Sequence, residues 1–256
     1  MLSGLQYLLA VLSGGIVGLS LGLVGGGGSV LAVPLMVYVV GVPSAHVAIG
    51  TSALAVAVNA LSGLIHHARA ASVKWRCGAI YAGVGVVGAL AGSTLGKAYD
   101  GEKLLCWFAL VMVLVGILML RRHSGGESRG ADCDWRHLPR VVGVALVTGL
   151  FSGFFGIGGG FLIVPGLIAS TRMSMINAVG TSLLAVAAFG MTTALNYATS
   201  GLIDWPLAFA FIAGGVLGSH LGARLARRLS ATGYLRKLFS LVIFAVAAYI
   251  LYRSGL

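Results

Sequence analysis

Apolar runs of about twenty residues recur along the whole chain with little charge inside them. A helix needs about 20 apolar residues to cross the hydrocarbon core of a bilayer. Hydrophobic residues make up 58% of this chain and charged residues only 9%, so we expect an all-α polytopic membrane protein. The predicted apolar segments are, in order, 4–24, 29–40, 45–66, 77–97 and 104–120, and then 138–156, 161–171, 176–198, 206–223 and 237–253.

The second half of the sequence repeats the first. The string at 22–34 aligns without a gap with the string at 153–165, and both end in proline. Gly-Thr-Ser at 50–52 then matches Gly-Thr-Ser at 180–182 after a single deletion. The sequence therefore predicts an internal duplication. Its parts are an N-terminal transmembrane repeat at 1–120, a linker at 121–137 and a C-terminal transmembrane repeat at 138–256.

The distribution of lysine and arginine predicts how the two repeats lie in the membrane, because cytoplasmic loops carry an excess of these residues. Four crossings per repeat would place the basic clusters at 121–140 and 224–237 on opposite faces. A Gly-broken helix hairpin plus three transmembrane helices makes the number of crossings odd. The basic loops 67–76, 121–137 and 224–236 are then all cytoplasmic. We therefore predict two inverted-topology repeats in the cell inner (plasma) membrane.

Two contiguous glycine runs are the predicted hairpin tips. The first runs from Gly25 to Ser29 and the second from Gly156 to Gly160. Glycine costs a helix interior about 1 kcal/mol relative to alanine, so each run should break its helix and free backbone groups. At membrane depth such groups are tolerated only where protein buries them or where they line a wet cavity. A short helix that begins after each run would direct its unpaired N–H groups and partial positive charge at an anion.

The candidate substrate-binding residues are the two glycine runs together with nearby hydroxyl and amide side chains. In the first repeat they are Gly25, Gly26, Gly27, Gly28, Ser29, Thr51, Ser52 and Asn59. In the second repeat they are Gly156, Gly158, Gly159, Gly160, Thr181, Ser182 and Asn196. The alternative for the serine and threonine hydroxyls is a bond back to a carbonyl of their own helix.

The residues that are missing also favour an anion. All six acidic residues fall in predicted loops, so neither a carboxylate proton relay nor a counter-charge for a cation is expected in the membrane. The run at 25–28 lacks the lysine of a nucleotide-binding loop, and no catalytic or metal-binding constellation is present. We predict no enzyme, no cofactor and no metal. The net charge of +11 lies in loops, as positive-inside orientation requires, and does not indicate a nucleic-acid partner.

The motif Gly-x-x-Gly-x-Gly-Gly-Gly-x-x-x-x-Pro, present twice and each time followed by Gly-Thr-Ser, resembles the sulfite exporter TauE/SafE family of membrane permeases. The resemblance covers the chain from about Gly14 to Tyr252, and Ser29 stands in place of the last motif glycine in the first copy. It implies a secondary transporter that moves small sulfur-containing anions, such as sulfite, sulfoacetate or taurine-derived anions, by alternating access. The implied partners are this anion and the lipid bilayer. The alternatives are a passive anion channel, a permease for another solute and a membrane subunit that assists a partner.

Overall fold

The computed structural model describes residues 3–101, 138–156 and 160–230, and eight positions between 103 and 114. The predicted linker and the predicted segment 237–253 lie outside the described residues. The elements found are helices, which we label in chain order. They are α1 (Gly4–Val24), α2 (Ala45–Arg69), α3 (Trp75–Ala98), α4 (Leu138–Phe155), α5 (Gly160–Thr171), α6 (Met175–Ala198) and α7 (Trp205–Ser230).

The predicted break in the first repeat is present at Gly25. Helix α1 ends at Val24, and Gly25 adopts φ 67° and ψ −143°, a conformation that only glycine adopts readily. The chain then turns back along α1, since Gly28 packs against the backbone of Ser20. The Gln6 side chain donates a hydrogen bond to the carbonyl of Val40, 3.1 Å away. Residues 25–39, which we call the return segment, therefore form a hairpin with α1.

The start of the short helix was predicted wrongly. We expected it after the glycine run, but helical structure begins within the run, as a 3₁₀ helix at Gly25–Leu31. One α-helical turn at Ala32–Pro34 and a π-helical turn at Leu35–Val39 follow. Without side chains the glycines can take the tight 3₁₀ path, which bonds N–H groups to carbonyls three residues away. The run thus changes the type of helix instead of leaving a bare loop.

The second repeat contains a corresponding hairpin. Helix α4 ends at Phe155, and Gly156 has the same φ of 67° as Gly25. Helix α5 then runs back along α4, because a Cβ atom added to Gly166 would lie 2.9 Å from the Val144 side chain. Residues 157–159, between α4 and α5 in the sequence, lie outside the described part of the chain.

Stripes of glycine join the two halves of the protein. Gly14, Gly18 and Gly22 of α1 pack against the backbone of α7 near Phe211, Gly215 and Ser219, respectively. The residue numbers of the contacting positions increase along both helices in the same direction, so α1 and α7 are parallel. Helices α3 and α4 pack in the same parallel way, with Gly88, Gly92 and Gly96 against Leu146, Leu150 and Phe154. Small residues allow such close backbone approach in lipid, and here each repeat packs its first helix against a helix of the other.

Helices α2 and α6 form the centre of the bundle and run antiparallel. Gly50 packs against Tyr197, whereas Gly63 packs against Leu183. One end of the bundle, which we call the Arg69 end, contains the end of α2 and the start of α6. The opposite end, which we call the Lys97 end, contains the ends of α3 and α6.

Six helical stretches of the described chain are long and apolar enough to cross a membrane, and the longest of them, Gly4–Val39, includes the break at Gly25. Large apolar side chains such as Leu5, Leu8 and Leu12 on α1 are exposed at the surface of the bundle, where lipid would cover them. Trp75 and Trp205, the first residues of the equivalent helices α3 and α7, are about half exposed, as is typical of tryptophan at a membrane interface. These features fit a multi-pass integral membrane protein.

Candidate functional site

The two glycine runs meet in the interior of the bundle. A Cβ atom added to Gly26 would lie 2.6 Å from the Cα atom and 2.9 Å from the carbonyl oxygen of Gly160. The same Cβ atom would lie 2.7 Å from a methyl group of Val186, which is the twelfth of the 24 residues of α6. The contact therefore lies near the middle of the helix length, and no side chain fits between the two backbones.

Ser182 holds the first hairpin against α6. The backbone N–H of Gly26 donates a hydrogen bond to Ser182 Oγ over 3.0 Å, and Ser182 Oγ donates to the carbonyl of Val179 over 2.8 Å. The tip is tight at this point, since a Cβ atom added to Gly25 would lie 2.6 Å from the Val179 carbonyl oxygen. Within the run, Ser29 Oγ donates to the carbonyl of Gly26 over 2.7 Å.

The threonines of the two Gly-Thr-Ser motifs hold loops of the opposite repeat. Thr181 Oγ1 accepts a hydrogen bond from the Lys74 N–H over 2.9 Å, and Thr51 Oγ1 accepts one from the Asp204 N–H over 3.0 Å. Both threonines are fully buried. Each loop amide precedes the first turn of α3 or α7, and its hydrogen bond to the threonine is partly buried. The described contacts of both threonine hydroxyls are therefore structural.

Ser52 follows the alternative that the sequence left open for the hydroxyls. Its Oγ donates to the carbonyl of Ile49 in its own helix, over 3.1 Å. Ile49 packs against Gly156, at the tip of the second hairpin, with its Cβ atom 3.0 Å from a Cβ added to that glycine. Gly27 and Gly28 are buried within the first hairpin, whereas Gly158 and Gly159 lie outside the described residues.

Asn59 is buried at mid-helix with both of its amide atoms unpaired. It is the fifteenth of the 25 residues of α2 and has no exposed surface. Neither Oδ1 nor Nδ2 has a hydrogen-bond partner. The amide packs against the backbone of Gly215 on α7. A buried polar group without a partner costs about 1–3 kcal/mol, so the position is occupied at a cost to stability.

Asn196 is not brought to the glycine contact. It lies near the end of α6, fourteen residues after Ser182, which corresponds to about 21 Å along the helix. Its Nδ2 donates to Ser93 Oγ over 2.7 Å, and it accepts two hydrogen bonds from Lys97 Nζ, each 2.9 Å long. Asn196 thus fixes the ends of α3 and α6 to each other, and its Oδ1 and Nδ2 are both engaged.

Sequence reasoning missed the other buried polar groups that have no partner in the described structure. They are His46 Nδ1, Ser152 Oγ, Thr193 Oγ1 and Tyr197 Oη. None of these residues is repeated at the equivalent position of the other half. This difference between the halves is the sequence feature that could have pointed to them. Among the described residues, no group of three or more His, Cys, Asp or Glu side chains could hold a metal ion.

Comparison with known proteins agrees with this architecture. The model of the family described as sulfite exporter TauE/SafE matches residues 10–250. A "Probable membrane transporter protein" of Xylella fastidiosa strain Temecula1 is 52% identical over 97% of this chain and 96% of its own length. The "Probable membrane transporter protein YunE" of Bacillus subtilis is 26% identical over 98% of this chain and 99% of its own length. No solved structure matches the chain. A family match over nearly its whole length, on a bundle of membrane-length helices, shows that this chain is a membrane transporter that belongs to the sulfite exporter TauE/SafE family.

Proposed function

We propose that this protein is a secondary transporter of small sulfur-containing anions, such as sulfite and sulfonates, and that it works by alternating access. The observation that carries the proposal is the contact between Gly26 and Gly160 near the middle of the bundle. Transporters built from inverted repeats bind substrate near the bilayer midplane, where broken helices of the two repeats meet. A site in that position can be reached from each face of the membrane in turn.

The packing of equivalent helices supports the inverted arrangement of the two repeats. Helices α2 and α6 occupy matching places in the two copies and run antiparallel. A two-fold axis in the membrane plane produces this relation, because it reverses the direction of one copy. The other cross-repeat pairs, α1 with α7 and α3 with α4, are also equivalent to each other under this axis.

We infer that the Arg69 end of the bundle faces the cytoplasm of a cell whose inner membrane holds the protein. Arg69, Lys74 and Arg76 lie at this end, and Arg140 and Arg172 lie at the matching ends of α4 and α5. At the opposite end, the basic residues of the described chain are Lys97 and Lys103. The excess of positive charge supports cytoplasmic loops at 67–76, 121–137 and 224–236.

The chemistry available at the contact favours an anion. The backbone N–H of Gly26 points at a hydroxyl oxygen, Ser182 Oγ, and an oxyanion oxygen can replace that acceptor. Asn59 adds an unpaired amide donor at mid-depth. The described helices contain no aspartate or glutamate, so a cation there would lack a counter-charge. The family description of a sulfite exporter adds sulfur oxyanions as the first class to test.

We propose that the close contact corresponds to a closed conformation of the transporter. Gly26 and Gly160 lie backbone to backbone, so an anion can bind between them only after the two hairpins separate. We propose that the hairpins move against the α2–α6 pair. Exchange of the Gly26 bond from Ser182 Oγ to the anion would couple binding to that motion.

The test is uptake and efflux of labelled sulfite, taurine and sulfoacetate by the purified protein in proteoliposomes. Gly26→Leu should abolish transport, because the leucine side chain would have to displace the Gly160 backbone. Gly83→Leu is the matched control, since a Cβ atom at this exposed position of α3 meets nothing within 4 Å. Transport by Gly26→Leu at the rate of the unchanged protein would contradict the proposed site.

The same preparation separates a carrier from a passive channel. If the protein is a carrier, transport of the labelled anion should accelerate when unlabelled anion is present on the opposite side, since the loaded site returns faster than the empty one. Electrical recordings that show many ions per opening would favour the channel.

A further inference from the structure

Three residues that carry unpaired buried polar atoms lie near one another at the Lys97 end of the bundle. They are Tyr197 Oη, Thr193 Oγ1 and His46 Nδ1. Tyr197 and Thr193 are fully buried and lie one turn apart on α6. The ring of His46, on α2, lies 6.4 Å from the ring of Tyr197 between centroids. A protein interior rarely leaves several neighbouring polar groups unsatisfied, so this grouping calls for a ligand.

Lys97 supplies positive charge to the same place. Its Nζ atom lies 5.9 Å from the centroid of the Tyr197 ring. It donates to the carbonyl oxygen and Oδ1 of Asn196, both at 2.9 Å, and to Ser200 Oγ at 3.0 Å. These acceptors are neutral, so the described bonds orient the ammonium group without cancelling its charge.

We propose that Lys97, Tyr197, Thr193 and His46, which we call the Lys97 cluster, form a second binding site for a small oxyanion. The tyrosine and threonine hydroxyls are hydrogen-bond donors, and His46 Nδ1 donates when it carries a proton. Hydrogen bonds to a charged partner are stronger than those between neutral groups. A cation would be repelled by Lys97 and would find no carboxylate among the four side chains. The inference rests on the proposed function, since it assigns the same class of substrate.

The Lys97 cluster adjoins the second hairpin. Tyr197 packs in one apolar cluster with Ile49 and Phe155, and Ile49 contacts Gly156 at the hairpin tip. An anion held by the cluster therefore lies beside the same hairpin whose Gly160 contacts Gly26. We assign the cluster to the stage at which the anion enters or leaves the central site through the Lys97 end.

The equivalent positions at the other end of the bundle do not repeat the three unpaired side chains of this group. The positions equivalent to Tyr197, Thr193 and His46 are His67, Gly63 and Ile176, respectively. His67 Nε2 is paired with the Gly22 carbonyl oxygen over 3.1 Å. The counterpart of Tyr197 is therefore hydrogen-bonded, whereas Tyr197 Oη is not. The second site thus belongs to one end of the protein only.

The first experiment compares two buried tyrosines in the purified full-length protein, with sodium sulfite as the probe. Tyr197→Phe should weaken sulfite binding roughly tenfold and leave the melting temperature unchanged or higher, because an unpaired hydroxyl is removed. Tyr81→Phe is the matched control. The Tyr81 hydroxyl is bonded to Thr148 Oγ1 over 2.7 Å, so its loss should lower the melting temperature and leave sulfite affinity unchanged.

The second experiment counts the anions bound per chain. At a sulfite concentration that fills both sites of the unchanged protein but not a site weakened tenfold, we expect two anions for the unchanged protein and one each for Tyr197→Phe and Gly26→Leu. Lys97→Gln should lose the same anion as Tyr197→Phe, whereas Lys97→Arg should retain it. Should sulfite be transported while a single anion binds and Tyr197→Phe binds it normally, the second site is overturned and the proposed function stands. Should no anion be bound or transported, the proposed function fails, and the second site fails with it.

Discussion

The two halves of the molecule share some buried polar residues and differ in others, and the unpaired polar atoms occur among those that differ. Thr51 and Thr181 stand at equivalent positions, and each accepts a hydrogen bond from a loop amide of the opposite half, at Asp204 and Lys74, respectively. The two loop amides are themselves equivalent. The two equivalent threonines therefore have the same structural role, which is to hold a loop of the opposite half.

The unpaired buried polar atoms all lie on residues that differ between the halves. Asn59 has no partner for either amide atom, and the equivalent residue of the second half is Phe189, which packs against Gly85 as Asn59 packs against Gly215. Thr193 is likewise unpaired, and its counterpart is Gly63. A phenylalanine fills the same place without any polar group, so the fold does not require an amide there. The comparison separates polar residues that stabilise the fold from polar residues that lower its stability.

The largest effect should follow from blocking a cross-repeat glycine contact, which tests the structural side of the comparison. In Gly18→Leu the new side chain would meet the Gly215 backbone, whose carbonyl carbon lies 2.7 Å from an added Cβ atom. Because two backbones must move apart, we expect a loss of about 3 kcal/mol or more and little folded protein in detergent. Size-exclusion profiles of this variant and of Gly83→Leu provide the measurement. A normal profile for Gly18→Leu would contradict the packing of α1 on α7.

The next effect concerns Asn59 and tests the functional side. Asn59→Leu replaces an unpaired amide with an apolar group of similar size, so the free energy of unfolding should rise by about 1–3 kcal/mol. Transport of sulfite should fall at least tenfold if the amide contacts the anion. Thermal unfolding and proteoliposome uptake measure the two quantities on one preparation. Loss of stability together with normal uptake would make Asn59 a structural residue after all.

The smallest effect should come from the shared threonines, and it should be equal in the two halves. Thr51→Val and Thr181→Val each leave one loop amide without its acceptor, and because these hydrogen bonds are only partly buried the cost should be about 0.5–1.5 kcal/mol. We expect similar drops in melting temperature and unchanged sulfite affinity for both variants. A loss of affinity in only one of them would show that this threonine also binds substrate, and would weaken the division between shared and unshared residues.

Much of the fold could be predicted from the sequence. The apolar runs predicted the limits of α1 to within a residue, and the consecutive glycines predicted the break at Gly25, because their costs to a helix add up at one place. The 3₁₀ and π turns of the return segment could not be predicted, since they depend on how closely Gly28 approaches Ser20. Such distances are set by packing between segments and not by local sequence.

The candidate site was predictable in its backbone and less so in its side chains. The meeting of Gly26 with Gly160 followed from two breaks in two related copies. The roles of Thr181 and Asn196 did not, because their partners, Lys74 and Lys97, stand about a hundred residues away in the chain. A hydroxyl or amide in a sequence does not reveal whether its partner is an anion or a distant loop.

The exchange of helices between the halves has a consequence for how the protein is made. The glycine face of α1 packs on α7, which leaves the ribosome only after almost the whole chain has been synthesised. Until then the glycine face of α1 is covered only by lipid, and neither half can complete its own packing. The polypeptide therefore matures as one unit at the end of translation, and fragments separated between the halves would have to find each other in the membrane before either becomes stable.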